Sequence, residues 1–206
     1  MWGGLLSMKC LLIVDVQNDF CEGGALEVKG SNAIIPIIND LITEFKNSND
    51  LIVGTMDWHP ATHKSFAKIS GGVIGEIGEL DGVPQIWWPE HCIQNTFGAQ
   101  LHENLNKIDN IIYKGTEQNI DSYSGFFDNG KKKSTLLHDF LQKNHITSLY
   151  VVGIATDYCV KFTVMDALDL GYKVYVITDA CKGVNINKND SKNSLQEMEN
   201  KGAILI

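Results

Sequence analysis

The sequence predicts an α/β fold: a single-domain, doubly wound, mostly parallel sheet with helices on both faces. Three features carry that expectation. Short apolar runs rich in β-branched residues recur along the chain, segments with apolar residues every three or four positions lie between them, and polar residues gather just after the runs. Runs without a polar face suit strands buried on both sides, as in a parallel sheet covered by helices.

Leu11 to Val14 is the first such strand, and Asp15 follows it directly. Ala33 to Lys46 has helical spacing and can cover one face of the sheet. Leu51 to Val53 is the second strand, with Asp57 and His59 beyond its end. From Asp57 to Gln100 no convincing strand pattern stands out. Its length, three His and three Trp mark this stretch as a functional loop folded over the crevice. Ile111 to Tyr113 is the third strand and closes on Lys114, and Lys133 to Lys143 reads as a helix with Lys131-Lys132-Lys133 as its solvated end. Leu149 to Val152 is the fourth strand, followed by Thr156 to Cys159 and by helical spacing over Cys159 to Leu170. Val174 to Ile177 is the fifth, and Gly202 to Ile206 suggests one more. Ligands of such sheets bind outside the carboxyl ends of the strands, where the polar residues of this chain collect.

The 206 residues are 44% hydrophobic and 20% charged, with neither a linker-like stretch nor an internal repeat, so residues 1–206 are expected to form one domain. Residues 1–8 stand apart as an extension, and Met8, directly before the first strand, is a candidate alternative start. A net charge of −8 disfavours nucleic-acid and anionic-membrane partners. All 17 basic residues are Lys, which leaves no guanidinium to grip a strongly anionic substrate. A small-molecule partner fits best, and a homo-oligomer stays open. Five scattered Cys with no CxxC give neither a disulfide framework nor a cysteine zinc site, and the N-terminus does not read as a signal peptide. A reduced, cytoplasmic setting is expected.

Cys159 opens a helical pattern, where free N–H groups and the helix dipole favour a thiolate and could stabilise an oxyanion. A cysteine so placed is more often an inert buried residue, so it needs partners. Asp15 ends an apolar strand, a costly place for an unpaired charge, and is otherwise a turn or capping residue. Lys114 ends another, where it could pair with either group or simply reach solvent. If the three meet, Asp15 takes the thiol proton, Lys114 holds negative charge and Cys159 attacks. Asp57, His59 and His63, with a later His91, form a second constellation of one carboxylate and two or three imidazoles, suited to zinc, iron or manganese.

Taken in order, Asp15-Val-Gln-Asn-Asp-Phe20, Asp57-Trp-His-Pro60, Trp88-Pro-Glu-His-Cys92, Lys114-Gly115, Asp121-Ser-Tyr-Ser-Gly-Phe126 and Gly153-Ile-Ala-Thr-Asp-Tyr-Cys159 closely resemble the nicotinamidase branch of the isochorismatase-like cysteine hydrolases. The resemblance implies an Asp15, Lys114, Cys159 triad that hydrolyses nicotinamide to nicotinate and ammonia through a thioester, in the deamidating branch of NAD salvage. It implies oxyanion donors at the backbone N–H groups of Ala155 and Cys159, with a cis peptide between Ile154 and Ala155. It also implies one divalent metal ion, zinc first with iron or manganese as alternatives, on Asp57, His59 and His91. His63 is a further candidate ligand. Phe20, Tyr123 and Trp87 or Trp88, with Trp87 the first candidate of the two, resemble the aromatic walls of the ring pocket. A sister amidohydrolase of carbamoyl or ureido compounds is the nearest competitor, and a non-catalytic domain of the same fold is the competitor of another class.

Overall fold

The structure, a computed structural model, describes residues 8–206. β1 (Met8–Val14) has no solvent-exposed side from Cys10 onward, and its side chains divide by parity. Cys10, Leu12 and Val14 join one apolar cluster, and Leu11 and Ile13 join the other. α1 (Ile34–Asn47) covers the second face, burying Ile34, Ile35, Ile38, Ile42 and Phe45 at the spacing that suggested it. Then come β2 (Leu51–Asp57), the single turn α2 (Ala67–Ser70), β3 (Ile77–Leu80), β4 (Val83–Ile86) and β5 (Asn110–Lys114). The opposite face is covered by α3 (Leu137–Lys143), by α4 (Lys161–Asp169) after β6 (Ile146–Ile154), and by α5 (Asp190–Lys201) after β7 (Lys173–Lys182). β8 (Ile204–Leu205) closes the order.

Six strands form one sheet in the order β5-β2-β1-β6-β7-β8, every pair parallel. This is the expected doubly wound sheet. The chain builds to one side from β1 and to the other from β6, so the order reverses between these two strands and a crevice opens at their carboxyl ends. Register brings the ends level: Val14 pairs with Thr55 on one side and Gly153 on the other, and Asp57 pairs with Lys114. At Gly153 (φ 120°) a Cβ would stand 2.1 Å from the Val14 carbonyl oxygen, so only glycine lets β6 pass this close to β1.

Several elements differ from expectation. The stretch after Asp57 does hold strands, the antiparallel hairpin β3-β4, whose short strands bury only Leu80 and Gln85 and so give little apolar alternation. α5 was not anticipated because only Ser194 and Met198 along it are buried. α3 begins at Leu137 rather than Lys133. The Lys131 to Lys133 run precedes it as a surface segment, with Lys131 paired to Asp166 at 2.7 Å and Lys132 to Asp81 at 2.8 Å. Of the expected extension over residues 1–8, residues 1–7 lie outside the described residues, and Met8 belongs instead to β1. Among the described residues no helix is long and apolar enough to cross a membrane.

Candidate active site

Asp15, Lys114 and Cys159 meet at the ends of β1, β5 and β6. The Lys114 ammonium is the hub: it lies 2.8 Å from Asp15 Oδ2, 2.5 Å from Asp57 Oδ1 and 3.4 Å from Cys159 Sγ, and donates to the Ser122 carbonyl at 2.9 Å. Asp15 and Lys114 are sealed from solvent, at 0% and 1% exposure, so each charge depends on the other. Asp15 Oδ1 accepts the Thr55 hydroxyl at 2.7 Å, whereas Oδ2 faces the Lys114 ammonium at 2.8 Å. Burial pushes the Asp15 carboxyl up, and Lys114 opposes that. Burial also pushes the Cys159 thiol well up against the pull of Lys114, while two carboxylates nearby push it further. The resting sulfur is therefore a thiol, and attack by it needs a base.

Cys159 does not start an α-helix as expected. It sits inside a π-turn, Thr156–Val160, and α4 begins two residues later. The Ala155 carbonyl takes the N–H of Tyr158 and of Val160, both at 3.0 Å. The Ile154-Ala155 peptide is cis, and Ala155 and Cys159 both line the cavity.

Asp57, His59 and His91 offer ligand atoms within 4.8 Å of one another, all buried. Both imidazoles are oriented from behind: Nδ1 of His59 donates to the Gly115 carbonyl at 2.7 Å and Nδ1 of His91 to the Pro89 carbonyl at 2.8 Å. Each Nε2 then turns toward Asp57 Oδ2, at 3.5 Å and 3.9 Å, and the His59 Nε2 is a buried atom with no hydrogen-bond partner. Two lone pairs facing a carboxylate oxygen suit a divalent cation. The pKa directions agree. Burial works against the charge on Asp57, but Lys114 and the imidazoles hold its carboxyl far below the usual range. Burial works against protonated His59, yet Asp57 draws a proton onto it, and a metal ion would displace that proton. Burial, then the neighbouring His59, brings His91 down to about 4.

His63 stacks on His59 with ring centroids 4.3 Å apart, but its own atoms are satisfied. Nε2 donates to the Ile120 carbonyl at 3.2 Å, and Nδ1 meets the Ser65 hydroxyl at 2.7 Å and N–H at 3.2 Å. Although His63 can be grouped with His59 and Asp121, it turns no free lone pair toward Asp57.

Phe20, Trp88, Tyr123, Tyr158, Leu26 and Val184 wall the cavity, and Cys159, His91, Asp57 and Asp121 lie on it. Trp87 does not line it. Trp87 pairs by its backbone with Glu76 and Gly75, and Trp88 with Ser65 and Ala67, so along an extended chain their rings face opposite ways. The Trp87 ring lies on Gly72 and Gly78, where a Cβ would come within 2.3 Å of it. The Trp88 indole N–H donates to the Tyr123 hydroxyl at 3.1 Å, as does the Gln85 amide. The sequence did not single out Gln85, Tyr158, Leu26, Val184 or Gln17. The buried Gln17 amide clamps Asp57 through its N–H (2.9 Å) and carbonyl (2.8 Å), a fit between groups 40 residues apart that no local pattern reports.

Residues 9–206 match the family described as Isochorismatase domain. The chain is 50% identical, over 96% of its own length and 93% of the relative's, to a nicotinamidase of Escherichia coli. In three dimensions it is similar to an Acinetobacter baumanii nicotinamidase pyrazinamidease, with TM-score 0.91 and 43% identity over 97% of this chain and 96% of that one. It is also similar to a Pyrococcus horikoshii pyrazinamidase in complex with zinc, with TM-score 0.81 and 38% identity over 96% and 98% of the two chains.

Proposed function

The chain belongs to the isochorismatase domain family, and within it we propose a nicotinamidase: a single-domain amidohydrolase that converts nicotinamide to nicotinate and ammonia through a thioester on Cys159. The observation that carries this is the Lys114 ammonium, which ties Asp15 and Cys159 to Asp57, so that the thiol and the metal-ligand cluster share one cavity. Similarity to nicotinamidases at up to 50% identity supports the substrate.

Asp15 Oδ2 takes the thiol proton as Cys159 Sγ attacks the carboxamide carbon. Negative charge on the carbonyl oxygen is met by the N–H groups of Ala155 and Cys159, while Lys114 balances the charge that moves among Asp15, sulfur and substrate. Asp15 passes its proton to the departing nitrogen, ammonia leaves and the thioester remains. Asp15 then deprotonates the incoming water, the thioester C–S bond breaks, and the proton returns to sulfur as nicotinate leaves.

Phe20, Trp88 and Tyr123 suit a flat heteroaromatic ring. Asp57, His59 and His91 would hold one divalent ion, zinc in the first instance, with His63 in support rather than as a ligand. Such an ion supplies an electrophilic anchor for the pyridine nitrogen. The product fits the deamidating branch of NAD salvage, a cytoplasmic role.

Ammonia release from nicotinamide tests the proposal, with purified protein run beside Cys159→Ala and a metal-stripped sample. Turnover by the wild type alone is expected. Inactivity of wild type with its metal bound would remove nicotinamide as the substrate.

A further inference from the structure

The two oxygens of Asp15 are held differently: Oδ1 accepts the Thr55 hydroxyl at 2.7 Å, and Oδ2, the oxygen beside the Lys114 ammonium at 2.8 Å, is the one the reaction uses. Thr55 and Asp15 are both at 0% exposure, so no solvent water stands ready to replace that donor. Thr55 grips Asp15 a second time, its backbone carbonyl accepting the Asp15 N–H at 3.2 Å, at a residue whose φ is 49°. Rotation of a carboxylate about its terminal bond is soft, so a donor on one oxygen sets the plane in which the other points. Thr55 is itself restrained. Its β-branched side chain has few rotamers on β2, and its methyl faces Gly125, where an added Cβ would lie 3.1 Å from it.

We propose that Thr55 is a positioning residue for the reaction: its hydroxyl fixes the plane of the Asp15 carboxylate so that Oδ2 stays directed at the Cys159 thiol and at the leaving nitrogen. Thr55 does not line the cavity and touches no substrate there, so its effect falls on turnover and not on binding. The threonine answers two demands at once, a donor for Oδ1 and a methyl that holds the donor's direction. The inference deepens the hydrolase function proposed above and rests on it.

The test uses Thr55→Val, which keeps the shape and removes the donor, and Thr55→Ser, which keeps the donor. For nicotinamide hydrolysis, Thr55→Val should lower kcat roughly 30- to 100-fold with KM within about twofold, at or just under the roughly 100-fold that a general base contributes at least. Thr55→Ser should recover to within about fivefold of wild type. A second readout needs no nicotinamide: the rate at which iodoacetamide modifies Cys159, followed by peptide mass spectrometry. It should slow about fivefold or more in Thr55→Val and stay near wild type in Thr55→Ser. Should Thr55→Val not fold, Thr55→Ala supplies the same loss of donor. A Val variant with kcat within about threefold of wild type, a Ser variant as slow as Val, or unchanged alkylation in Val would each overturn the inference. Wild type that releases no ammonia, while alkylation still separates Val from Ser, would remove the substrate and leave the clamp standing.

Discussion

The two halves of the cavity are built by different means. Asp15 follows β1, Lys114 ends β5 and Cys159 sits in the turn just after β6, all on one parallel sheet whose register brings Val14, Thr55 and Gly153 level and pairs Asp57 with Lys114. His91 and Trp88 arrive on the long segment after Asp57, held by contacts such as the His91 to Pro89 carbonyl bond and the Trp88 to Ser65 pairing. A site on a sheet inherits its precision from the backbone ladder, whereas a site on a loop has to assemble it from individual hydrogen bonds. Substitutions in the sheet-built half should therefore strike turnover, and those in the loop-built half should strike metal and ring binding.

Lys114→Ala gives the largest expected effect and strains the division most, because Lys114 serves both halves. Loss of an electrostatic partner in a dry site is worth about 3 kcal/mol, so kcat/KM should fall by roughly two orders of magnitude. Two carboxylates are then left buried without their cation, and thermal stability should fall as well. Near-normal rates would take Lys114 out of the chemistry. Next come His59→Ala and His91→Ala, which should each strip metal, measured by elemental analysis, and raise KM by about tenfold or more, equivalent to about 1.4 kcal/mol. Full metal occupancy in both single variants would remove these residues from the ligand set.

The tryptophan pair sharpens the comparison inside the loop. Trp88→Ala should raise KM up to about tenfold, the scale of one aromatic contact, with kcat less affected. Trp87→Ala should leave KM within about twofold and lower the melting temperature through lost packing on Gly72 and Gly78. The reverse pattern would put the wrong ring in the cavity wall. Smallest of all, Lys132→Ala removes an ion pair to Asp81 whose side chains are 57% and 44% exposed, and should change stability by less than about 1 kcal/mol without touching either half.

Legibility in the sequence follows the same divide. Leu11 to Val14 and Leu149 to Val152 announced themselves because strands buried on both faces have no polar alternation to obscure them. With those strands placed, the residues just beyond them had only one crevice to enter, and Asp15, Lys114 and Cys159 indeed meet there. The loop gave no such frame. Trp87 and Trp88 are adjacent and chemically identical, and only their backbone partners decide which ring faces inward. The spacing left His63 open as a further ligand or a neighbour of the ligands, and the bonds that occupy its ring nitrogens, to a local serine and a distant carbonyl, leave no trace in a local pattern. Gln17 and Thr55 were silent because their bonds to Asp57 and Asp15 each span 40 residues. α5 escaped because a helix with two buried side chains carries almost no periodic signal.

The central claim is that nicotinamide acylates Cys159, and rapid-quench mass spectrometry of the Cys159 peptide during turnover tests it most directly. The account predicts that this peptide gains the mass of one nicotinoyl group early in the reaction, that the adduct decays as nicotinate appears, and that Cys159→Ala shows neither adduct nor ammonia. Ammonia release undiminished in Cys159→Ala would contradict it, because the thiol would then be a bystander to the hydrolysis.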